Sequence, residues 1–504
     1  MLIDDLLHQR RNIIQILRFN LIRSANIALL LILFGACNES NTPSFLTEPN
    51  ISYSACLAGN APCPEICNGE DDDKDGVIDE SLDQICLAMT KLSFSVGQPE
   101  DGFGRSIAIV PDLNHDGYEE VLVSSSRSLA NIDPQDPLEG KVSLLLGGTL
   151  LTSSASEEDN TNLQKALDIE WTVKYGGDFG HSIVVGNLDG RPLWCAGAPT
   201  NEGPNGVIGK ILCLDFEGQV IEKVVAESEY GLGQYMTIKK GDDKDTLLVS
   251  EPLWSKPAEE SSEMLEHNGR ILQMQLTADG WIVENSFEGT KSEQKIGERV
   301  LAIADANQDQ ISDLLITGYE VDNRSNRQVW IISGQAEGSL SRIKRFSTPE
   351  NTDGSFGASL AIGRFDQQIN ELLLAFGAPY VESNREDTID YLSRLYFTTI
   401  EGEPLGTNSA RILDTEEQGL GEAMAKIPLG DHELLVTSGP GLLRVLQMNA
   451  GTPEVIQEFS LPRGSRTTLA ASQKVDADGL MRVWIGLPDL GMIKLMTVRL
   501  ANIP

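Results

Sequence analysis

Histidine is almost missing from this chain: five residues in 504. Four of them, His115, His181, His267 and His432, follow residue 37, and none has His or Cys neighbours at zinc-ligand spacing. That argues against a histidine-built metal or acid–base centre. Basic charge is also short: 39 Lys and Arg stand against 75 Asp and Glu, a formal net charge of −36. A bare surface of that sign repels nucleic acid and anionic membrane, and leaves calcium, cationic surfaces and basic proteins as partners. No apolar run is long enough to span a bilayer; the densest covers residues 29–34, with a weak extension over 25–36. A Gly-x-Ser-x-Gly elbow, a phosphate loop and a dinucleotide fingerprint in a fitting context are all lacking. The chain therefore reads as a non-enzyme. Arg-Gly-Asp is missing too, and aromatics reach only 6%. Trp194, Trp254, Trp281, Trp330 and Trp484 fall in or beside apolar strand runs, where core packing accounts for them.

What the chain does have is repetition. Copies of one unit start near Gly104, Gly180, Gly233, Gly297, Gly357, Gly421 and Arg466, at steps of roughly 45 to 76 residues. The fullest copy runs Phe103-Gly104-Arg105-Ser106-Ile107-Ala108, then Asp112-Leu113-Asn114-His115-Asp116-Gly117-Tyr118-Glu119-Glu120, then Val121-Leu122-Val123. Each copy opens with a short alternating strand, and its second apolar run stops at Gly/Pro, as at Gly197-Ala198-Pro199, Gly377-Ala378-Pro379 and Gly486-Leu487-Pro488. A third strand often starts with Gly and a base, as at Gly209-Lys210 and Gly269-Arg270; a fourth, such as 168–173 or 454–461, leads onward. Short β-rich runs with Gly/Pro turns predict antiparallel sheets. Four strands per unit in seven units predict an all-β, seven-bladed β-propeller. The last unit lacks one strand after residues 492–498, and residues 91–96 are expected to supply it, closing the ring without a free edge. Residues 91–504 are thus read as one propeller domain.

The order Phe-Gly, Asp-x-Asn-x-Asp-Gly, Gly-Ala-Pro resembles the FG-GAP repeat of integrin α-subunit propellers and of many bacterial surface proteins. It is strongest in the copies at Phe103, Phe179, Ile296 and Phe356. The resemblance implies a seven-bladed propeller with calcium in some blade loops, and neither one partner nor one activity.

Read residue by residue, the first acidic loop places oxygens at positions 1, 3, 5 and 9 of an EF-hand-type turn: Asp112, Asn114, Asp116 and Glu120, with the Tyr118 carbonyl at 7 and no bidentate Glu at 12. A second loop repeats the spacing with Asp305, Asn307, Asp309, the Ile311 carbonyl and Asp313, Gln310 standing in place of Gly. Hard cations take six to eight oxygens, so both loops are expected to hold Ca2+. The loops at Asn187, Asp242, Asp366, Gly430 and Asp476 are too short or too poor in oxygens, and read as tight turns without metal.

At the front, Arg10, Arg11, Arg18 and Arg23 precede the apolar run and Gly35-Ala36-Cys37 follows it. This is a signal-peptide pattern over residues 1–36. Its end resembles a bacterial lipobox, which implies lipid on Cys37. Asn38 lacks the Asp of inner-membrane retention, so an outer-membrane or cell-surface location is expected, with membrane contact through the lipid alone. Residues 37–60 read as a flexible tether rich in Ser, Thr, Asn and Pro. Residues 61–90 carry Cys67-Asn68-Gly69-Glu70-Asp71-Asp72-Asp73-Lys74-Asp75-Gly76, which resembles a short Cys/Asp-rich metal-binding motif of myxobacterial-type surface proteins, with Lys74 at its second Cys. Asp71, Asp73, Asp75 and Asp79 repeat the 1, 3, 5, 9 spacing and are further calcium candidates.

Without Cys37 six cysteines remain, an even number suited to an oxidising compartment. Cys56, Cys63, Cys67 and Cys86 allow three pairings. Cys195 and Cys213 either pair across the second blade or stay reduced in its core. The leading expectation is a non-catalytic, calcium-binding propeller lipoprotein that adheres to a protein or glycan, with inserts 126–139, 254–268 and 381–390 as the candidate binding loops. An extracytoplasmic lyase or hydrolase on a propeller scaffold and an envelope assembly lipoprotein are the alternatives.

Overall fold

The computed structural model describes residues 86–499 less several stretches between strands, among them 127–139, 153–166, 335–341 and 401–410. The expected signal peptide, Cys37, the tether, Asp71, Asp73, Asp75 and Asp79, and Cys56, Cys63 and Cys67 lie outside the described residues. Among those described, no helix is long and apolar enough to cross a membrane.

Seven four-stranded antiparallel sheets form the blades of a β-propeller. The first blade runs through Phe103–Val110, Glu120–Ser125, Gly140–Leu145 and Leu167–Val173. Every later blade repeats that meander, including those at Leu232 and Leu420, where the Phe of Phe-Gly is replaced. The seventh consists of Thr468–Ala471, Leu480–Leu487 and Met492–Arg499, with Cys86–Ser95 as its outer strand. The ring therefore closes with a segment from ahead of the first blade. That strand begins at Cys86, five residues before the expected start at Lys91, and pairs Cys86 with Arg499 and Ser95 with Met492. The register shifts between Met89 and Ser93, so the polar Thr90-Lys91 step is absorbed by an irregularity while pairing continues on both sides. Thr90 Oγ1 donates to the Leu495 carbonyl at 2.9 Å.

The residue ahead of each repeat glycine explains how blades adhere. Phe103, Phe179, Leu232, Ile296, Phe356 and Leu420 are all at most 1% exposed. Phe179 sits with Leu122 and Val142 of the first blade and Trp194 and Ala196 of the second; Phe356 sits with Val329 and Phe346 of the fourth and Phe376 and Tyr396 of the fifth. Each wedge thus fills the seam between its own blade and the one before. Burying a Phe side chain stabilises by roughly 1.5–3 kcal/mol, so these seams hold the ring together. At the closing seam Phe94 joins Phe103, Trp484 and Ile493.

The two glycines of the motif meet across blades. A Cβ on Gly197 would lie 2.0 Å from the Gly233 carbonyl oxygen, one on Gly377 2.1 Å from that of Gly421, and one on Gly486 2.1 Å from that of Gly104. Gly104, Gly233 and Gly421 also have φ of 93°, 82° and 91°, a region costly for residues with a Cβ. Only backbone fits at these crossings. Serines complete the stitching: Ser106 Oγ accepts from Ile183 N at 3.2 Å, and Ser182 Oγ from Met236 N at 3.1 Å, each one blade on.

Candidate functional site

Antiparallel meanders sort the loops by end. The link from first to second strand in each blade lies at one end of the ring; the Phe-Gly turns and the second-to-third links lie at the other. The acidic loops therefore share the first end. Two of the three inserts become strand structure at the second end. Residues 381–390 extend a hairpin of Leu373–Arg385 with Thr388–Thr399, and Lys256–Pro257 pairs with Met264–Leu265 inside the 254–268 insert.

In the first acidic loop the chain turns through His115 at φ 60° and Gly117 at φ 92°. Asp112 accepts from the backbone N–H of Asp116 at 3.2 Å and Gly117 at 3.0 Å, Asn114 Oδ1 from Asp116 N at 2.9 Å, and Asp116 Oδ1 from Tyr118 N at 3.0 Å. These bonds fold the carboxylates inward. Asp112, Asp116 and Glu120 each bring one carboxylate oxygen within 4.8 Å of the others. Glu120 is 0% exposed because it opens the buried second strand. Its Oε2 accepts from Leu113 N at 2.8 Å, while Oε1 is buried with no hydrogen-bond partner among the described residues. Burial pushes the Glu120 carboxyl up to about 7; the Leu113 and Glu120 N–H groups oppose this, and the charges of Asp112 and Asp116 add to it. An orphaned buried oxygen among convergent carboxylates is an incomplete shell, and an all-oxygen donor set suits a hard cation.

Beside this loop lies a cavity of about 610 Å³, lined by Asp112, Tyr118, Lys240, Lys474, Asp476 and Arg482 among others. The Tyr118 hydroxyl donates to Asp478 Oδ1 at 2.9 Å, and burial pushes that phenol up to about 12.

The second loop folds alike but does not converge alike. Asp305 accepts from Asp309 N at 3.1 Å and Gln310 N at 2.6 Å, with Gln308 and Gln310 at φ 64° and 70°. Asp305, Asp309 and Asp313 do not gather their oxygens within the 4.8 Å reached in the first loop. Both oxygens of buried Asp313 are already used, by Ala306 N at 2.8 Å and Gly334 N at 3.0 Å. Asp309 Oδ2 accepts from Asn307 at 2.9 Å and Ser333 at 3.3 Å. Lys239 of the preceding blade reaches the Gly334 carbonyl at 3.0 Å, and its charge acts on Asp313 and Asp309. The Ile311 N–H donates to Asp309 Oδ1 at 2.9 Å.

The remaining loops are closed by protein groups. Arg482 binds Asp476 and Asp478, Lys240 binds Asp245 at 2.8 Å, and Lys426 binds Glu433 at 2.6 Å. Fully buried Asp366 accepts from Gln368 N at 2.9 Å and Gly451 N at 2.6 Å.

The two cysteines of the second blade, Cys195 and Cys213, face each other in register and are bonded, Cα to Cα 4.1 Å. Cys86 is also disulfide-bonded.

Sequence reasoning missed the polar residues that follow the repeat glycines. Arg105, His181, Glu298 with Arg299, and Glu422 hold equivalent positions in four blades, and Tyr235 and Arg466 lie beside the same turns. The signal was available: a polar residue directly follows every repeat glycine but Gly357. Without the ring, nothing says that these positions meet.

Two curated relatives align with the chain. Integrin alpha-IIb of Mus musculus is 27% identical over 269 residues, covering 50% of this chain and 25% of the relative. Integrin alpha-IIb of Homo sapiens is 26% identical over 228 residues, covering 43% and 22%. The chain thus spans about a quarter of the length of the curated relatives it matches. No family model matches. Among solved structures, a crystal structure of BBS1N in complex with ARL6DN, soaked with mercury, aligns over 82% of this chain and 99% of its own at 12% identity, with a TM-score of 0.45. A likeness at that level carries no argument. The repeat glycines, the seven blades and the integrin alignments agree: the chain carries an integrin-α-like FG-GAP β-propeller.

Proposed function

We propose that this protein is a non-catalytic, calcium-braced binding propeller, held at the bacterial outer membrane or cell surface by lipid on Cys37, that adheres to a protein or glycan. The observation that carries this reading is the division of labour between the two ends. One end gathers Asp112, Asp116 and Glu120 around an unsatisfied buried oxygen. The other presents the strand-built insert hairpins. Bound there, calcium supplies charge neutralisation. Asp112 and Asp116 would hold it from the turn and Glu120 from the second strand, so the turn and the strand would be fastened together. A ligand that binds only the folded state stabilises by mass action.

The test is a metal count with a calcium-dependent melt on residues 38–504. At least one bound calcium and a melt that rises with calcium are expected. A chain that binds none, and melts alike in calcium and in chelator, would remove the metal from this reading. Binding is tested separately, by shortening the 381–390 hairpin and measuring adhesion of intact cells. Unchanged adhesion would take that end out of consideration.

A further inference from the structure

We propose that Lys239, at the end of the innermost strand of the third blade, keeps calcium out of the 305–313 loop, and that removing its charge opens a calcium site there. As it stands, the loop does not fit the ion: Asp305, Asp309 and Asp313 do not gather their oxygens as Asp112, Asp116 and Glu120 do. The two turns are otherwise alike. Asn307 Oδ1 accepts from Asp309 N at 3.0 Å, as Asn114 Oδ1 does from Asp116 N at 2.9 Å. Asp313 Oδ2 accepts from Ala306 N, as Glu120 Oε2 does from Leu113 N, both at 2.8 Å. The difference lies at the second oxygen of that ninth residue. Gly334 N donates to Asp313 Oδ1 at 3.0 Å, whereas Glu120 Oε1 has no partner among the described residues.

Gly334 is held by Lys239. The innermost strands of the third and fourth blades lie side by side, so half-buried Lys239 reaches across the seam, and its Nζ donates to the Gly334 carbonyl at 3.0 Å. A Cβ on Gly334 would lie 2.9 Å from that Nζ and would also meet the Ser312 carbonyl. Ser333, the residue before, accepts from Asn307 Nδ2 and donates to Asp309 Oδ2, each at 3.3 Å. The Ser333-Gly334 step thus closes over the turn, and the ammonium fastens it there. Gly147 has the same place in the first blade, where a Cβ would meet the Glu119 carbonyl. The blade ahead of that loop is the seventh, and its innermost strand ends at Ala471, as that of the third ends at Lys239. Alanine brings neither a donor nor a charge. Lys240 and Lys474 line the cavity beside the first loop, but among the described residues neither is hydrogen-bonded to it.

The tethered ammonium opposes calcium in two ways. It keeps the Gly334 N–H on Asp313, which leaves the ninth residue with no oxygen to give to a cation that takes six to eight. It also sets a positive charge beside the place a divalent ion would occupy, and a partly buried charge is screened little by salt. Burial lowers the Lys239 ammonium, and the charges of Asp313, Glu284 and Asp309 pull it back. The net charge of −36 draws cations to the surface as a whole, so the choice between two acidic loops falls to local groups such as this one. The inference goes beyond the binding reading, and holds whether or not the first loop takes the ion.

The experiment counts calcium bound to residues 38–504 after equilibrium dialysis against about 1 mM calcium in about 0.15 M salt, which suits extracellular calcium sites and screens loose surface binding. Lys239→Met is expected to bind one calcium more than the wild type, with a Kd of about 0.1–1 mM, and to lose that gain when Asp305→Asn is added. Lys239→Arg keeps the charge and should match the wild type. Asp305→Asn alone should leave the wild-type count unchanged. Melting in chelator identifies the folded variants, and Lys239→Gln reads the same gain should Lys239→Met fail to fold. A wild-type count in a folded Lys239→Met or Lys239→Gln, an equal gain in Lys239→Arg, a gain that survives Asp305→Asn, or a calcium lost from the wild type by Asp305→Asn overturns the proposal. A wild type that binds no calcium, beside a Lys239→Met that binds one, would sink the calcium-braced reading of the first loop and uphold this inference.

Discussion

Glu120 and Asp313 hold the same position in their loops, and a few hydrogen bonds separate their roles. Glu120 keeps one buried oxygen unpartnered, whereas Asp313 spends both on backbone N–H groups. Asp116→Asn is therefore expected to lower the melting temperature in calcium and to change it little in chelator. Equal losses in both conditions would show that the turn binds no metal. Asp305→Asn should cost stability in both conditions, because Asp305 accepts from Asp309 N and Gln310 N whether or not a cation is bound. A loss seen only in calcium would instead place an ion there.

Glu422 adds a pH effect. Burial pushes its carboxyl up to about 7; Thr467 N–H, Arg466 and Arg299 oppose this, and Asp489 adds to it. The unfolded value is near 4.3, so between about 4.3 and 7 the folded chain holds a proton that the unfolded chain has lost. This group's contribution is full below that window and is lost as pH rises through about 7. Between pH 8 and pH 5 the wild type should gain stability relative to Glu422→Gln. Parallel melting curves for the two proteins would contradict the assignment.

At the scale of the element, Phe-Gly and Gly-Ala-Pro are two halves of one contact. The apolar residue wedges between blades, its glycine crosses close to the next chain, and the second glycine receives it. Gly377→Ala would bring a Cβ to 2.1 Å from the Gly421 carbonyl oxygen, and both are backbone. A loss of about 1–3 kcal/mol is expected from such overpacking, read by denaturant unfolding. Gly430→Ala is the contrast: its φ is positive, at 64°, which that of Gly377 is not, and nothing lies within 4 Å of a Cβ there, so it reports backbone strain without a clash. If the two variants lost equal stability, the crossing would not be the cause.

The Cys195–Cys213 bond closes 18 residues, so Cys213→Ser should cost about 3 kcal/mol under oxidising conditions. An unchanged unfolding midpoint would mean that the bond contributes nothing to stability. Strand positions were legible within a few residues, because alternation and Gly/Pro stops are local signals. The bulge that lets the closing strand start at Cys86 was not, since pairing register with residues 492–499 is set across 397 to 413 positions.

For the whole molecule, closure is the decisive event. The seventh blade takes its outer strand from residues 86–95, and Phe94 completes the seam with Phe103 and Trp484. Removing residues up to 95 would leave Met492–Arg499 as an open edge and unplug that seam. Broad unfolding and self-association are expected in sedimentation and melting. A monomer with an unchanged melt would mean that the strand is dispensable.

The repeat by itself determined the number of blades, their four-strand meander and the origin of the last strand, because each signal lies within one unit or in the shortfall of the final one. The acidic spacing also named both candidate calcium loops, yet it could not tell them apart: spacing fixes which oxygens share a turn and says nothing of the hydrogen bonds that consume them. The folding of each blade decided that Glu120 keeps a free oxygen while Asp313 does not, and only the closed ring that Arg105, His181, Tyr235 and Arg299 stand side by side. Blades far apart in sequence become neighbours about a common axis, and the charges they bring together belong to no single repeat.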